Sequence, residues 1–86
     1  MAIHRAPRFP HIVRKPRVQG GEPTIEGTRI PVRALVVAAR GPRGRAHLQT
    51  AYPALTAALI DEALAYYHEH QDEVDRFIRL NEADVD

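Results

Sequence analysis

Few residues of this chain could do chemistry, and their spacing argues against most of it. Five histidines, His4, His11, His47, His68 and His70, are of the type that ligates metals. His68 and His70 stand two apart, which on a helix turns them to different faces, and no His-Glu-x-x-His run occurs. The chain contains neither cysteine nor serine, which excludes thiolate metal sites and thiol or serine nucleophiles. Gly41-Pro42-Arg43-Gly44 has the Gly-x-x-Gly form of an RNA-binding KH loop, but the βααβ setting of that module is missing. A helix stop followed by a turn explains both glycines. Carboxylates in the second half could bind a hard cation, although a solvated acidic face is their ordinary role. The expectation is no enzyme, no cofactor and no metal site.

Charge is the stronger signal. Residues 1–45 carry ten Lys/Arg against only Glu22 and Glu26, whereas residues 46–86 carry Arg76 and Arg79 against nine acids. The overall net charge of +1 hides this split. Such asymmetry suggests one polyanionic and one basic partner. Arg5, Arg8, Arg14, Lys15 and Arg17 are candidates for phosphate contact, together with Arg43 and Arg45 in a turn before a helix. The competing explanation is a solvated basic face that pairs with the acidic half of a neighbouring copy.

These residues need elements to position them, and 86 residues allow one small domain. Residues 1–11 are basic, contain Pro7 and Pro10, and read as a flexible arm. Thr24-Ile25 and Thr28-Arg29-Ile30 flank Glu26-Gly27 as a tight hairpin, with Gly27 at positive φ. Helical spacing begins at Val32, with Leu35, Val36 and Ala39, and stops at Gly41-Pro42. A second helix covers Arg45 to Ala51, with Leu48 and Tyr52 inward. Thr56 is placed to cap a third.

That third helix has a heptad-like seam of Ile60, Leu64, Tyr67, Gln71, Val74, Ile78 and Asn81, with no Gly or Pro after Thr56. Unbroken from Ala57 to Glu82, it would reach about 39 Å. Its second half must fold back or be covered by another chain. The expected architecture is therefore mainly α: a short N-terminal β-hairpin, then a three-helix helix-turn-helix (winged or homeodomain-like) domain over residues 12–70. Residues 71–86 read as an acidic amphipathic extension whose removal leaves that domain folded. No apolar run approaches a membrane span, and a soluble cytoplasmic protein is the default.

The run Gly20-Gly21-Glu22-Pro23-Thr24-Ile25-Glu26-Gly27-Thr28-Arg29-Ile30-Pro31-Val32 closely resembles the opening signature of the domain-of-unknown-function 433 family. Tyr52-Pro53-Ala54-Leu55-Thr56 and Ala63-Leu64-Ala65-Tyr66-Tyr67 resemble its second signature. The chain departs from the family pattern at Gly44-Arg45-Ala46-His47, where a Ser/Thr-Pro-Glu-Glu helix start is usual. The resemblance implies a helix-turn-helix protein similar to VapB-type antitoxins of type II toxin–antitoxin pairs. It further implies a homodimer that blocks a PIN-like nuclease toxin through its C-terminal portion, with operator DNA as a second candidate partner. On that reading Tyr67, Asp72, Glu73, Val74, Phe77 and Ile78 form the toxin-binding surface. The alternative is a stand-alone dimeric DNA-binding regulator. The third helix argues against major-groove reading by itself, because Ala57, Ala58, Asp61 and Glu62 stand where base-reading residues would be needed.

Overall fold

A computed structural model describes residues 4–16 and 19–83. Within them the chain forms β1 (His4–Ala6), β2 (Phe9–Arg14), a 3-10 turn (Gln19–Gly21) and β3 (Thr24–Ile25). Four helices follow, α1 (Val32–Ala39), α2 (Gly44–Ala51), α3 (Ala57–Glu69) and α4 (Gln71–Ala83). The molecule is mainly helical, with a three-stranded antiparallel sheet in the order β1-β2-β3.

Residues 4–11 are not a free arm but belong to this sheet. Arg5 stands opposite Val13 and Ala6 opposite Phe9, with a bulge between Arg5 and Ala6. Arg8, at φ 66°, turns the chain back. The proline-bearing sequence hides a strand because its inward set, Phe9, Ile12 and Val13, does not alternate strictly. All three are buried, and hydrophobic burial holds the ribbon on the helices. On the far side β3 pairs with β2, Ile12 opposite Ile25 and Val13 opposite Thr24.

The expected Glu26-Gly27 turn is present, with Gly27 at φ 80°, but Thr28-Arg29-Ile30 does not form the second strand of a hairpin. The Ile25 amide donates to the Ile30 carbonyl at 3.0 Å, and Thr24 bridges to Pro31. The Thr28 hydroxyl ties the loop by donating to the Ile25 carbonyl at 2.8 Å. Pro31 then leads the backbone into α1, which Gly41-Pro42 follows as foreseen. Thr56 caps α3 by accepting from the Leu59 amide at 3.1 Å.

The long third helix is two helices. At His70 the backbone leaves helical geometry (φ −134°, ψ 42°), and its amide donates to the carbonyls of Tyr66 and Tyr67. Its own carbonyl accepts from the Val74 amide at 3.1 Å and so starts α4. The break lets α4 fold back and bury Val74 and Ile78 in the common core with Leu35, Ile60 and Tyr66. A straight helix would leave both aliphatic side chains in water, at about 1.5–3 kcal/mol each. The α3 seam is also displaced: Ile60, Ala63 and Tyr66 are fully buried, while Leu64 and Tyr67 flank them. Among the described residues no helix is long and apolar enough to cross a membrane.

Candidate interaction surfaces

Most of the basic side chains expected to meet phosphate are engaged by carboxylates of the same chain. Arg14, on β2, grips Glu73 of α4 through Nε and Nη2, both at 2.8 Å. Its guanidinium also meets the Tyr66 hydroxyl, which in turn donates to Glu73. Arg8 pairs with Glu69 at the end of α3. His11 uses its amide (2.7 Å) and Nδ1 (2.8 Å) on Glu62. Arg45 reaches Asp61 at 2.7 Å, and Arg40 lies 3.8 Å from Asp75. In each case the basic side chain comes from the basic half and the carboxylate from the acidic half.

Two further pairs lie within the basic half. Arg33 meets Glu22 at 3.0 Å, and Glu22 is only 3% exposed. Arg5 forks onto both oxygens of Glu26, at 2.8 and 2.6 Å. That hydrogen bond holds the Glu26 carboxyl below its ordinary value. Its contribution to stability is therefore present above the unfolded-state pKa and fades as pH falls through the folded one. Replacing Arg5→Ala should raise the Glu26 pKa toward the ordinary glutamate value of about 4.3. An unchanged carboxyl titration by NMR would show that the fork does not form in solution.

Of the seven phosphate-contact candidates, Arg5, Arg8, Arg14 and Arg45 are thus ion-paired. Lys15 is half-buried, and Arg17 lies outside the described residues. Arg43 is exposed in the α1–α2 turn and makes no ion pair among the described residues.

The toxin-facing candidates divide similarly. Val74 and Ile78 are 1% and 4% exposed and belong to the core, with Ile78 reaching only a groove beside α1. Glu73 is committed to Arg14 and Tyr66. Tyr67 is half-buried and donates to Asp75 at 2.9 Å. Asp72 is exposed and Phe77 half-buried, both on α4. Leu80, 51% exposed on the same helix, was not among the candidates. It lies two residues beyond Ile78, about 200° around the helix from the core face, which spacing alone could have shown. His70 has a structural part, stacked on the Tyr66 ring at 4.2 Å, with Phe9 edge-on to Tyr66 at 5.4 Å.

A second surface was also missed. Val37, 46% exposed, and Ala38 are shared by two adjoining grooves on the outside of α1. One, of about 290 Å³, continues over Gly41, Pro42, Arg43 and His47. The other, of about 400 Å³, runs past Ala34, Tyr52, Asn81 and Glu82. The signal was in the sequence: Val-Arg-Ala-Leu-Val-Val-Ala-Ala is apolar on every side but one.

Comparison with known proteins places this geometry. The sequence model of the family described as "Protein of unknown function (DUF433)" matches residues 12–67. The chain belongs to that family. A crystal structure of a DUF433 member protein from Anabaena variabilis ATCC 29413, at 2.00 Å resolution, is 36% identical to it. The two share a TM-score of 0.74 over 80% of this chain and 68% of the other. No curated protein matches. In this DUF433 protein the matched segment runs from β2 into α3, and α4 lies wholly beyond it. The first signature, Gly20 to Val32, builds the short turn, β3 and the loop that delivers the chain to α1. It buries Pro23, Thr24, Ile25 and Val32 and supplies Glu22 as the anchor of Arg33, which are structural tasks.

Proposed function

We propose that this DUF433 protein is a non-catalytic, antitoxin-like binding protein that neutralises a PIN-like nuclease in a type II toxin–antitoxin pair. The observation that carries this reading is the acidic side of α3 and α4. Four carboxylates there, Asp61, Glu69, Glu73 and Asp75, already hold arginine side chains of the same chain, and Glu62 holds the His11 ring. A nuclease groove built for a polyanion presents the same cations. The Arg8–Glu69 and Arg45–Asp61 pairs are well exposed, and surface ion pairs contribute only about 0–1 kcal/mol each, so an incoming basic surface can exchange with these two. Asp72 is free of such pairs among the described residues, and Leu80 with the edge of Phe77 offers the apolar contact that affinity requires.

In this reading α2 and α3 are the inherited helix-turn-helix, no longer a groove reader. The stand-alone DNA-binding regulator is the second reading, and Arg43, exposed in the α1–α2 turn and without an ion pair among the described residues, is what favours it.

Leu80→Asp with Asp72→Lys should weaken binding to the nuclease encoded beside this gene by about tenfold or more. Both positions are exposed, so the helical circular dichroism should be unchanged. Calorimetry showing wild-type affinity in the double variant would remove α4 from the interface. If no nuclease binds, while Arg43→Ala weakens operator binding and flattens its salt dependence, the regulator reading replaces this one.

A further inference from the structure

A helix that is apolar all round is normally covered all round. In α1 the side formed by Val32, Leu35 and Val36 is buried in the core. At about 100° per residue, Ala34, Val37, Ala38 and Gly41 occupy the opposite side. Val37 and Gly41 there are exposed, and Ala34 and Ala38 are half-buried. Among the described residues nothing closes over Val37 and Gly41, and burying this face would add to the small core of an 86-residue domain.

Charge says what covers it. The α1 face ends in opposite charges: Glu82 beside Arg33 and Ala34 at its start, Arg43 beside Gly41 and Pro42 at its finish. Neither Glu82 nor Arg43 has an ion-pair partner among the described residues. Arg33, which lines the same end of the groove, is neutralised by the buried Glu22. The chain therefore carries, on one face, the complement of that same face turned through a half-rotation.

The geometry points to a second copy of this chain, packed antiparallel across α1, with Val37 and Ala38 at the two-fold axis. Arg43 of each copy then meets Glu82 of the other. A parallel arrangement would set Arg43 against Arg43 and Glu82 against Glu82, and is disfavoured. This gives the dimer a surface of its own, separate from the outer face of α4, and either assignment can fail alone.

The test is a charge swap read by sedimentation over a concentration series of the full chain. The wild type should dimerise at micromolar concentration, and Val37→Asp should weaken the dimer by about tenfold or more. Arg43→Glu alone and Glu82→Arg alone should each weaken it, because each sets like charges face to face. Combining both changes in one chain should restore the homodimer, and so should mixing the two single variants. All three substituted positions, Val37, Arg43 and Glu82, are exposed, and unchanged circular dichroism will confirm that the variants fold. A wild type that stays monomeric at high micromolar concentration overturns the proposal. So does a dimer indifferent to Val37→Asp, or a double variant that fails to recover.

Discussion

Removal of residues 71–86 is expected to unfold this domain rather than trim it. Val74 and Ile78 sit in the same core as Leu35, Ile60 and Tyr66, and both leave with α4. Losing two buried aliphatic side chains costs about 3–6 kcal/mol from transfer alone. The surfaces they cover would be newly exposed, and Arg14 would lose Glu73, its half-buried partner. Against a net stability of about 5–15 kcal/mol, and toward the low end for a small domain, little remains. Ile78→Ala provides a milder version, with an expected loss of about 2–5 kcal/mol. In a domain of this size that lowers the melting temperature by about 10 °C or more. A truncated chain that melts cooperatively within a few degrees of the full one would show that α4 is an appendage after all.

This bears directly on how binding by the C-terminal portion can be assayed. Deleting α4 would abolish partner binding for the trivial reason that the domain no longer folds. Only exposed positions such as Asp72 and Leu80 separate recognition from stability.

Why the sequence suggested an appendage is instructive. Local signals marked every helix boundary that local chemistry sets: Pro31 before α1, Gly41-Pro42 after it, Pro53 after α2 and Thr56 before α3. The boundary at His70 has no such marker, since neither glycine nor proline is near. It exists because Val74 and Ile78 are better buried on the molecule's own core than left along a straight rod, and that is a tertiary decision. The β1–β2 ribbon was hidden in the same way. Pro7, Pro10 and the arginines mask a strand whose stability comes from Phe9, Ile12 and Val13 meeting helices far along the chain. What the Gly20–Val32 signature did make legible was the turn geometry around Gly27 and the family itself.

The charge split has a consequence inside the molecule. Arg8 and Glu69 are 61 residues apart, Arg14 and Glu73 are 59, and His11 and Glu62 are 51. No local rule pairs residues at such distances. Once the sheet is laid on α3, its basic side chains find the acids of α3 and α4, and a dipole in sequence becomes a set of ties in space. Of the seven expected phosphate-contact residues, Lys15 and Arg43 make no ion pair among the described residues, and the outer face of α1 is apolar.

The tie nearest the core should matter most, and Tyr66 is its centre. The residue is fully buried, edge-on to Phe9 and stacked on His70, while its hydroxyl reaches out to the half-buried Arg14–Glu73 pair. Tyr66→Ala should cost about 3–5 kcal/mol, since it empties the junction of β2, α3 and α4. Tyr66→Phe keeps the ring and should cost only about 1 kcal/mol, because Arg14 and Glu73 still satisfy one another. The phenol pKa is pushed above its ordinary value, first by burial and then by the hydrogen bond to Glu73. A raised folded-state pKa means that this stabilisation is complete below about pH 10 and is lost as pH climbs through the folded value. In an alkaline titration followed by tyrosinate absorbance, Tyr66 should ionise only as the fold opens, and Tyr66→Phe should delete that late step. If Tyr66 instead ionises near pH 10 in a chain that is still folded, the hydroxyl is in water and the Arg14–Tyr66–Glu73 tie does not hold β2 to α4.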